Sequence, residues 1–236
     1  MISPAPAPAP ARDLPPVLVY EAGLRAVERG EHSGWRVRHD DGRVSPLPLS
    51  SWLAGARPGD HGLVDRCTRP TLDLGCGPGR LTALLAARGI PALGVDIAAY
   101  AVTLARRRGG IALHRDLFAP LPGEGRWRHV LLADGNLGIG GDPAALLRRC
   151  ASLLHPRGRV LCETDRPGTG LRRTRIRLEP PSGPGSAWLP WAYADSEAVA
   201  ALAPAAGLAP AGHWSEHGRW FTVLAPDRTR RPGGRH

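Results

Sequence analysis

From Pro70 onward the chain alternates apolar runs of strand length with helical patterns, and this rhythm constrains the fold more than any other feature. Strand-like runs lie at 71–75, 91–96, 111–116, 128–134 and 159–164, and helical spacing of apolar residues fills 79–89, 98–108 and 143–154. Strand, helix, strand at this interval specifies a parallel sheet covered by helices. The crossover between Leu117 and Trp127 carries Pro120, Pro122, Gly123 and Gly125 and reads as a loop. A helix at 196–206, capped by Asp195 or Ser196, then precedes two strands within 208–226 that meet in a tight turn near His217-Gly218.

Ahead of this core, 15–30 has apolar residues at helical spacing up to Gly30, and 34–47 alternates around the hairpin signal Asp40-Asp41-Gly42. Short helices are expected at 51–56 and 60–66. This part has too little apolar content to stand alone and is expected to pack on the alternating core. Residues 166–195 break the rhythm with five arginines, a Pro/Gly-rich stretch, Trp188, Trp191 and Tyr193. They read as an inserted loop or hairpin over one end of the sheet. The expected organisation is a disordered, Pro/Ala-rich lead-in at 1–14 and a helical and hairpin extension at 15–66. An α/β domain comes next at 67–226, with its insertion at 166–195, and a basic disordered tail at 227–236.

A hydrophobic share of 42% over 236 residues supports a real core and excludes a disordered chain. No stretch reaches the ~18 uncharged apolar residues of a membrane helix. The formal net charge is +10, but the chain has no lysine, so all 31 basic residues are arginines amid abundant Ala, Gly and Pro. That pattern points to codon bias more than to a nucleic-acid footprint. Cys67, Cys76, Cys150 and Cys162 lack C-x-x-C spacing and companion histidines, so no metal site is expected; they read as small apolar residues in a reducing cytosol. With no basic n-region or apolar h-region at the start, the expected location is cytoplasmic.

The chemistry concentrates in LDLGCGPGR, Leu72 to Arg80. Gly75, Gly77 and Gly79 sit where a strand turns into a helix, a place that needs unusual backbone angles and close approach to a ligand. The spacing is G-x-G-x-G, so the third glycine of a dinucleotide fingerprint is displaced. Asp73, at the end of the strand, would disfavour a pyrophosphate and suits an ammonium group. Asp96 ends the next strand, 21 residues after Gly75, where a carboxylate can accept from both ribose hydroxyls. Asp116 closes the third strand, where a nucleobase would lie; a loop cap is the plainer role for it.

With acidic residues ending the next two strands, Asp73-Leu-Gly-Cys-Gly-Pro-Gly79 resembles the class I S-adenosylmethionine-dependent methyltransferase family. LLHPRGRVL, 153–161, resembles the family's L-x-P-G-G stretch before the fifth strand, and the closing hairpin matches its antiparallel last strand. The resemblance covers about 67–226 and implies a Rossmann-like, doubly wound seven-stranded sheet in the order 3-2-1-4-5-7-6. It also implies S-adenosylmethionine as cofactor. Gly75, Cys76, Gly77 and Gly79 would run under its methionine and ribose, with Asp73 near the ammonium. Asp96 and Ile97 would meet the ribose, Asp116 the adenine amino group, and the Leu117 backbone N–H the ring.

After the fourth strand, Asp134-Gly135-Asn136 should face the transfer site, because open α/β sheets bind ligands at the carboxyl ends of their strands. Asp134 and Asn136 are the candidate catalytic residues, with Asp134 equally able to cap a turn. The N-P-P-Y or D-P-P-Y of the family's amino-methylating branch is missing, which argues against exocyclic-base or glutamine N-methylation. No histidine stands out as a base. Tyr20, Trp188, Trp191 and Tyr193 could wall a pocket for a small acceptor or simply pack the insertion. Arg173, Arg175 and Arg177 share a strand face that suits an anion, RNA or plain solvent. The leading expectation is a small-molecule methyltransferase. RNA or protein methylation, a cofactor-binding protein without turnover, and a dinucleotide oxidoreductase are the alternatives; the displaced glycine and Asp73 argue against the last. The oligomeric state is not legible.

Overall fold

A computed structural model describes residues 13–31, 33–227 and 229. The chain runs through α1 (Pro16–Glu28), β1 (Arg36–His39), β2 (Val44–Pro46), α2 (Leu49–Leu53) and α3 (Asp60–Asp65) into the alternating core. That core comprises β3 (Thr71–Leu74), α4 (Arg80–Ala87), β4 (Ala92–Asp96), α5 (Ala99–Arg107), β5 (Ala112–His114) and β6 (Trp127–Leu132), followed by α6 (Pro143–Leu153) and β7 (Leu154–Thr164). Strands β8 (Leu171–Glu179) and β9 (Leu189–Ala194) come next, then α7 (Ser196–Leu202), β10 (Leu208–Glu216) and β11 (Arg219–Pro226). Two 3-10 turns, Asn136–Gly141 and Ala203–Ala206, complete the chain. The 115–126 crossover holds no helix, as its prolines and glycines require.

The main sheet has seven strands in the order β5-β4-β3-β6-β7-β11-β10, parallel throughout except for the closing hairpin. Counted from β3, this is the order 3-2-1-4-5-7-6. Strand β3 is buried at every position, as a central parallel strand must be. One face packs Leu72, Leu74, Val130, Leu132 and Val160 against Leu146, Leu147 and Val199 of α6 and α7. The other packs Leu131, Leu161, Phe221 and Val223 against Leu63 of α3 and Leu81 and Leu85 of α4. Helix α3 therefore belongs to the α/β core although it lies ahead of residue 67. Asp142 caps α6 by accepting from the Ala144 amide, with Pro143 at the first helical position; Asp195 caps α7 through the Ala198 amide.

The stretches at 34–47 and 166–195, which read as separate in the sequence, form one antiparallel sheet in the order β2-β1-β8-β9. Strand β1 pairs with β8 from Arg36↔Glu179 to His39↔Ile176. Its inner face joins Val37, Ile176 and Leu178 to Val19 and Leu24 of α1 and to Ala101 and Leu104 of α5. This second sheet and α1 make a cover over the carboxyl ends of the parallel strands. Leu14, at the end of the expected lead-in, is instead tied down: its N–H donates to Gly185 O, and its carbonyl accepts from Ala187 N. The remainder of that lead-in, 1–12, and most of the expected tail, 228 and 230–236, lie outside the described residues; Asp227 donates its N–H to Gly207 O.

Candidate active site

The turn from β3 to α4 is built on left-handed glycines, with φ of 72° at Gly75, 52° at Gly77 and 80° at Gly79. The Gly75 and Cys76 amides both donate to Val95 O, at 2.8 and 3.1 Å, which fastens the turn to β4. Asp96 Oδ2 accepts from the Gly77 amide at 2.8 Å and Oδ1 from the Ala98 amide, so this carboxylate shapes the loop as well as facing the cavity beside it. Burial raises the Asp96 pKa against these hydrogen bonds. Asp73, 2% exposed, accepts from Thr82 Oγ1 at 2.7 Å, and burial pushes its carboxyl up to about 6. A Cβ at Gly75 would lie 2.7 Å from Asn136 Nδ2, so only glycine leaves the two loops in contact.

A cavity of 460 Å³ opens above this turn. Its floor is the strand ends: Asp73 and Gly75–Gly77, Asp96 and Ile97, Asp116 and Leu117, and Asp134–Asn136. Its roof is apolar and comes from the cover, with Val17 and Tyr20 of α1, Trp52 of α2, Val37 of β1, Ile176 and Leu178 of β8, and Leu189, Trp191 and Tyr193 of β9. Tyr20 stands edge-on to Trp52, ring centroids 5.9 Å apart, and its hydroxyl lies 3.1 Å from where a Gly77 Cβ would be. Burial, followed by the charges of Asp96, Cys76, Asp134 and Glu21, holds its phenol well above the ordinary pKa. Tyr20 therefore meets the cavity as a neutral hydroxyl.

Beside the cavity floor, six charged side chains from five segments interlock. Asp60, fully buried, accepts from the Arg57 amide, from Arg80 and from Arg219 Nη1. Burial opposes ionisation of Asp60, but Arg80, the Arg57 amide and Arg219 together hold its carboxyl below the usual range. Asp134 Oδ1 accepts from Arg57 at 2.7 Å and Oδ2 from Arg80; its own amide donates to Glu163. Arg219 forks onto Glu163 with two bonds of 2.8 Å. Its burial is outweighed by Glu163, Asp60 and Asp134, which raise its pKa. Three guanidinium groups thus meet three carboxylates, an arrangement that leaves no net charge buried.

The structure brings Asp73, Gly75, Cys76, Gly77, Asp96, Ile97, Asp116, Leu117, Asp134 and Asn136 to one cavity, while Gly79 starts α4 behind it. Both oxygens of Asp134, a candidate catalytic residue, are held by the guanidinium groups of Arg57 and Arg80. Asn136, the other candidate catalytic residue, donates to Leu74 O and Gly75 O at 2.9 and 2.8 Å, so its amide braces the glycine turn. Asp116 Oδ1 accepts from the Phe118 amide, the cap weighed as its plainer role, while still lining the cavity. Trp188 stands apart from the cavity and under Arg177, unlike Tyr20, Trp191 and Tyr193. Sequence reading missed Trp52 and the hub of Arg57, Asp60, Arg80, Glu163 and Arg219. A buried arginine carries no mark in a chain where arginine is everywhere.

A family model described as a methyltransferase domain matches residues 71–158. No curated protein matches the sequence. Among solved structures, the fold is similar to that of a SAM-dependent methyltransferase from Bacteroides fragilis in complex with S-adenosyl-L-homocysteine. The identity is 19%, 91% of this chain and 98% of that one are covered, and the TM-score is 0.77. It is also similar to the 1,6-didemethyltoxoflavin-N1-methyltransferase of Burkholderia thailandensis, at 20% identity, 94% and 93% coverage and a TM-score of 0.56. The sugar N-methyltransferase KedS8 from a Streptoalloteichus species matches at 20% identity, 71% and 84% coverage and a TM-score of 0.53. The matching family model runs from β3 into the start of β7 and so takes in the four strand ends that floor the cavity; over that region the chain is similar to a methyltransferase domain.

Proposed function

We propose that the chain transfers a methyl group from S-adenosylmethionine to a small-molecule acceptor with an apolar body. The observation that carries this reading is one continuous cavity with two unlike halves, a floor of glycine backbone and aspartates and a roof of aliphatic and aromatic side chains. The floor fits the cofactor, since a bare-backbone cradle at Gly75 and Gly77 is edged by a carboxylate on either side, the buried Asp73 and the half-buried Asp96. When bound, the cofactor supplies a methyl on a sulfonium, an excellent leaving group. Asp73 would face its ammonium, Asp96 its ribose hydroxyls, and Asp116 with the Leu117 amide its adenine. Asp134 and Asn136 act as positioning residues: one is clamped by Arg57 and Arg80, the other braces Leu74 and Gly75.

The chain's further task is to exclude water and align the acceptor, and alignment alone can contribute ~7–11 kcal/mol. The cover does both, with the neutral Tyr20 hydroxyl as the polar group it brings over the glycine turn. The named activities of the similar Burkholderia and Streptoalloteichus proteins, on 1,6-didemethyltoxoflavin and on a sugar, support a small acceptor. Calorimetric titration with S-adenosylmethionine, S-adenosylhomocysteine and NAD(P) tests the reading. Micromolar binding of the first two is expected, with loss in Asp96→Ala beyond about tenfold, the scale of one hydrogen bond to a charged group. Binding of NAD(P) alone would overturn it.

A further inference from the structure

A smaller cavity of 120 Å³ lies behind the first, at the carboxyl end of β7, and shares Gly135 and Tyr193 with it. Glu163, Thr164 and Asp165 face it. Their states differ. Glu163 is neutralised by the Arg219 fork and also accepts the Asp134 amide. Asp165 uses Oδ2 to accept from the Ala194 amide at 2.9 Å and joins no ion pair among the described residues. Thr164, 7% exposed, has a buried Oγ1 with no hydrogen-bond partner. Burial raises the Asp165 pKa, with Glu163 and Asp195 adding to it and the Ala194 amide and Arg172 opposing. A buried hydroxyl without a partner is costly, and the half-buried Asp165 carboxylate gains from a cation brought beside it.

We propose that this cavity is a subsite for a primary ammonium group of the acceptor, which anchors the molecule while its apolar body lies under the cover. The proposal rests on the small-molecule methyltransferase reading and names its substrate class. An ammonium brings donors only, and the free Asp165 oxygen and Thr164 Oγ1 are acceptors that want them. An anion would face two carboxylates. A divalent cation asks for six or more oxygens, which a single unpaired carboxylate and a hydroxyl do not supply. The anchored group is not the atom methylated, since a protonated amine has no lone pair to attack with. Tyr193 lines both cavities, with the Arg172 guanidinium 4.5 Å and the His39 ring 5.8 Å from its ring centroid. As a residue common to both cavities, Tyr193 is the wall along which the proposed alkylamine arm reaches from one to the other.

The test uses three probes with one body and different ends, tryptamine, tryptophol and indole-3-propionate, titrated into full-length protein saturated with S-adenosylhomocysteine. Failure of S-adenosylhomocysteine to bind would sink the underlying cofactor reading and is seen first, separately. With that ligand bound, tryptamine is expected to bind about tenfold or more tighter than the other two, the scale of a hydrogen bond to a charged group. Asp165→Asn should erase that preference. Thr164→Val, which keeps the β-branched shape, should reduce it with the thermal unfolding midpoint little changed, and it carries the test if Asp165→Asn does not fold. Equal binding of the three probes, no binding of tryptamine, or a preference that survives both substitutions would overturn the subsite.

Discussion

Burial leaves the Asp73 side chain with one hydrogen bond, from Thr82, and lifts its pKa from 3.8 to about 6. A carboxyl raised in this way costs stability as pH climbs from the unfolded value through the folded one, by ~3 kcal/mol when complete. An ammonium beside it reverses the sign, because the cation favours the carboxylate and draws its pKa back down. Affinity for S-adenosylhomocysteine should therefore be weak near pH 5, rise about tenfold or more through pH 6 and level off above 7. Asp73→Asn should flatten that profile. Calorimetry across this range checks it, and an affinity that is constant or falls with pH would place the ammonium elsewhere. Asp73, the glycines and Asp96 were legible because their spacing is itself chemistry: a strand end, a turn that needs left-handed residues, a second strand end. Asp134 and Asn136 line the same cavity, as their place after the fourth strand implies, but what they touch was not legible, since their partners lie at 57, 80, 74 and 75.

Elements meet at the charged hub, which sits where local pattern says least. Arg219 begins β11 and ties it to Glu163 on β7, to Asp60 on α3 and to the Pro58 carbonyl ahead of α3. Arg80 begins α4 and ties it to Asp60 and to the loop after β6. The hub thereby fixes the angle at which α3, the glycine turn and the closing hairpin approach one another. Removing one member strands the others without compensation. Arg219→Met should lower stability by ~3–5 kcal/mol, the cost of breaking a buried pair. Chemical denaturation at neutral pH measures it, and a loss under ~1 kcal/mol would show that the hub is solvated and unimportant to folding. The strands and helices themselves were readable to within a few residues, because periodicity and the Asp142-Pro143 and Asp195 caps mark them. Which arginines fold inward is set by contacts between five distant segments, and composition that is rich in arginine hides them.

At the scale of the molecule, the cover roofs the cavity, and it is assembled from chain lying on both sides of the core. Local alternation shows β1, β2, β8 and β9 as hairpins but carries no sign that β1 pairs with β8 across the whole domain between them. The same pairing explains the arginine row. Arg36, Arg38, Arg173, Arg175 and Arg177 line the outer face, where Arg38 and Arg177 meet Glu179, and Arg173 meets Asp142. The inner face of the same strands is the apolar roof. A sheet made in this way is one cooperative unit, because neither hairpin can bury Val37, Ile176 and Leu178 without the other. Val37→Ala removes apolar bulk at the shared core and should weaken that unit by about 1–3 kcal/mol. Hydrogen exchange then reads the outcome: amides of β1, β8 and α1 should speed up together while those of β3, β6 and β7 keep their protection. Saturating S-adenosylhomocysteine should slow the cover's exchange, since Val17 and Tyr20 of α1 line the same cavity as the glycine turn. Acceleration confined to β1 would mean that the two hairpins open independently, and the acceptor would then have a door on either side rather than a single lid.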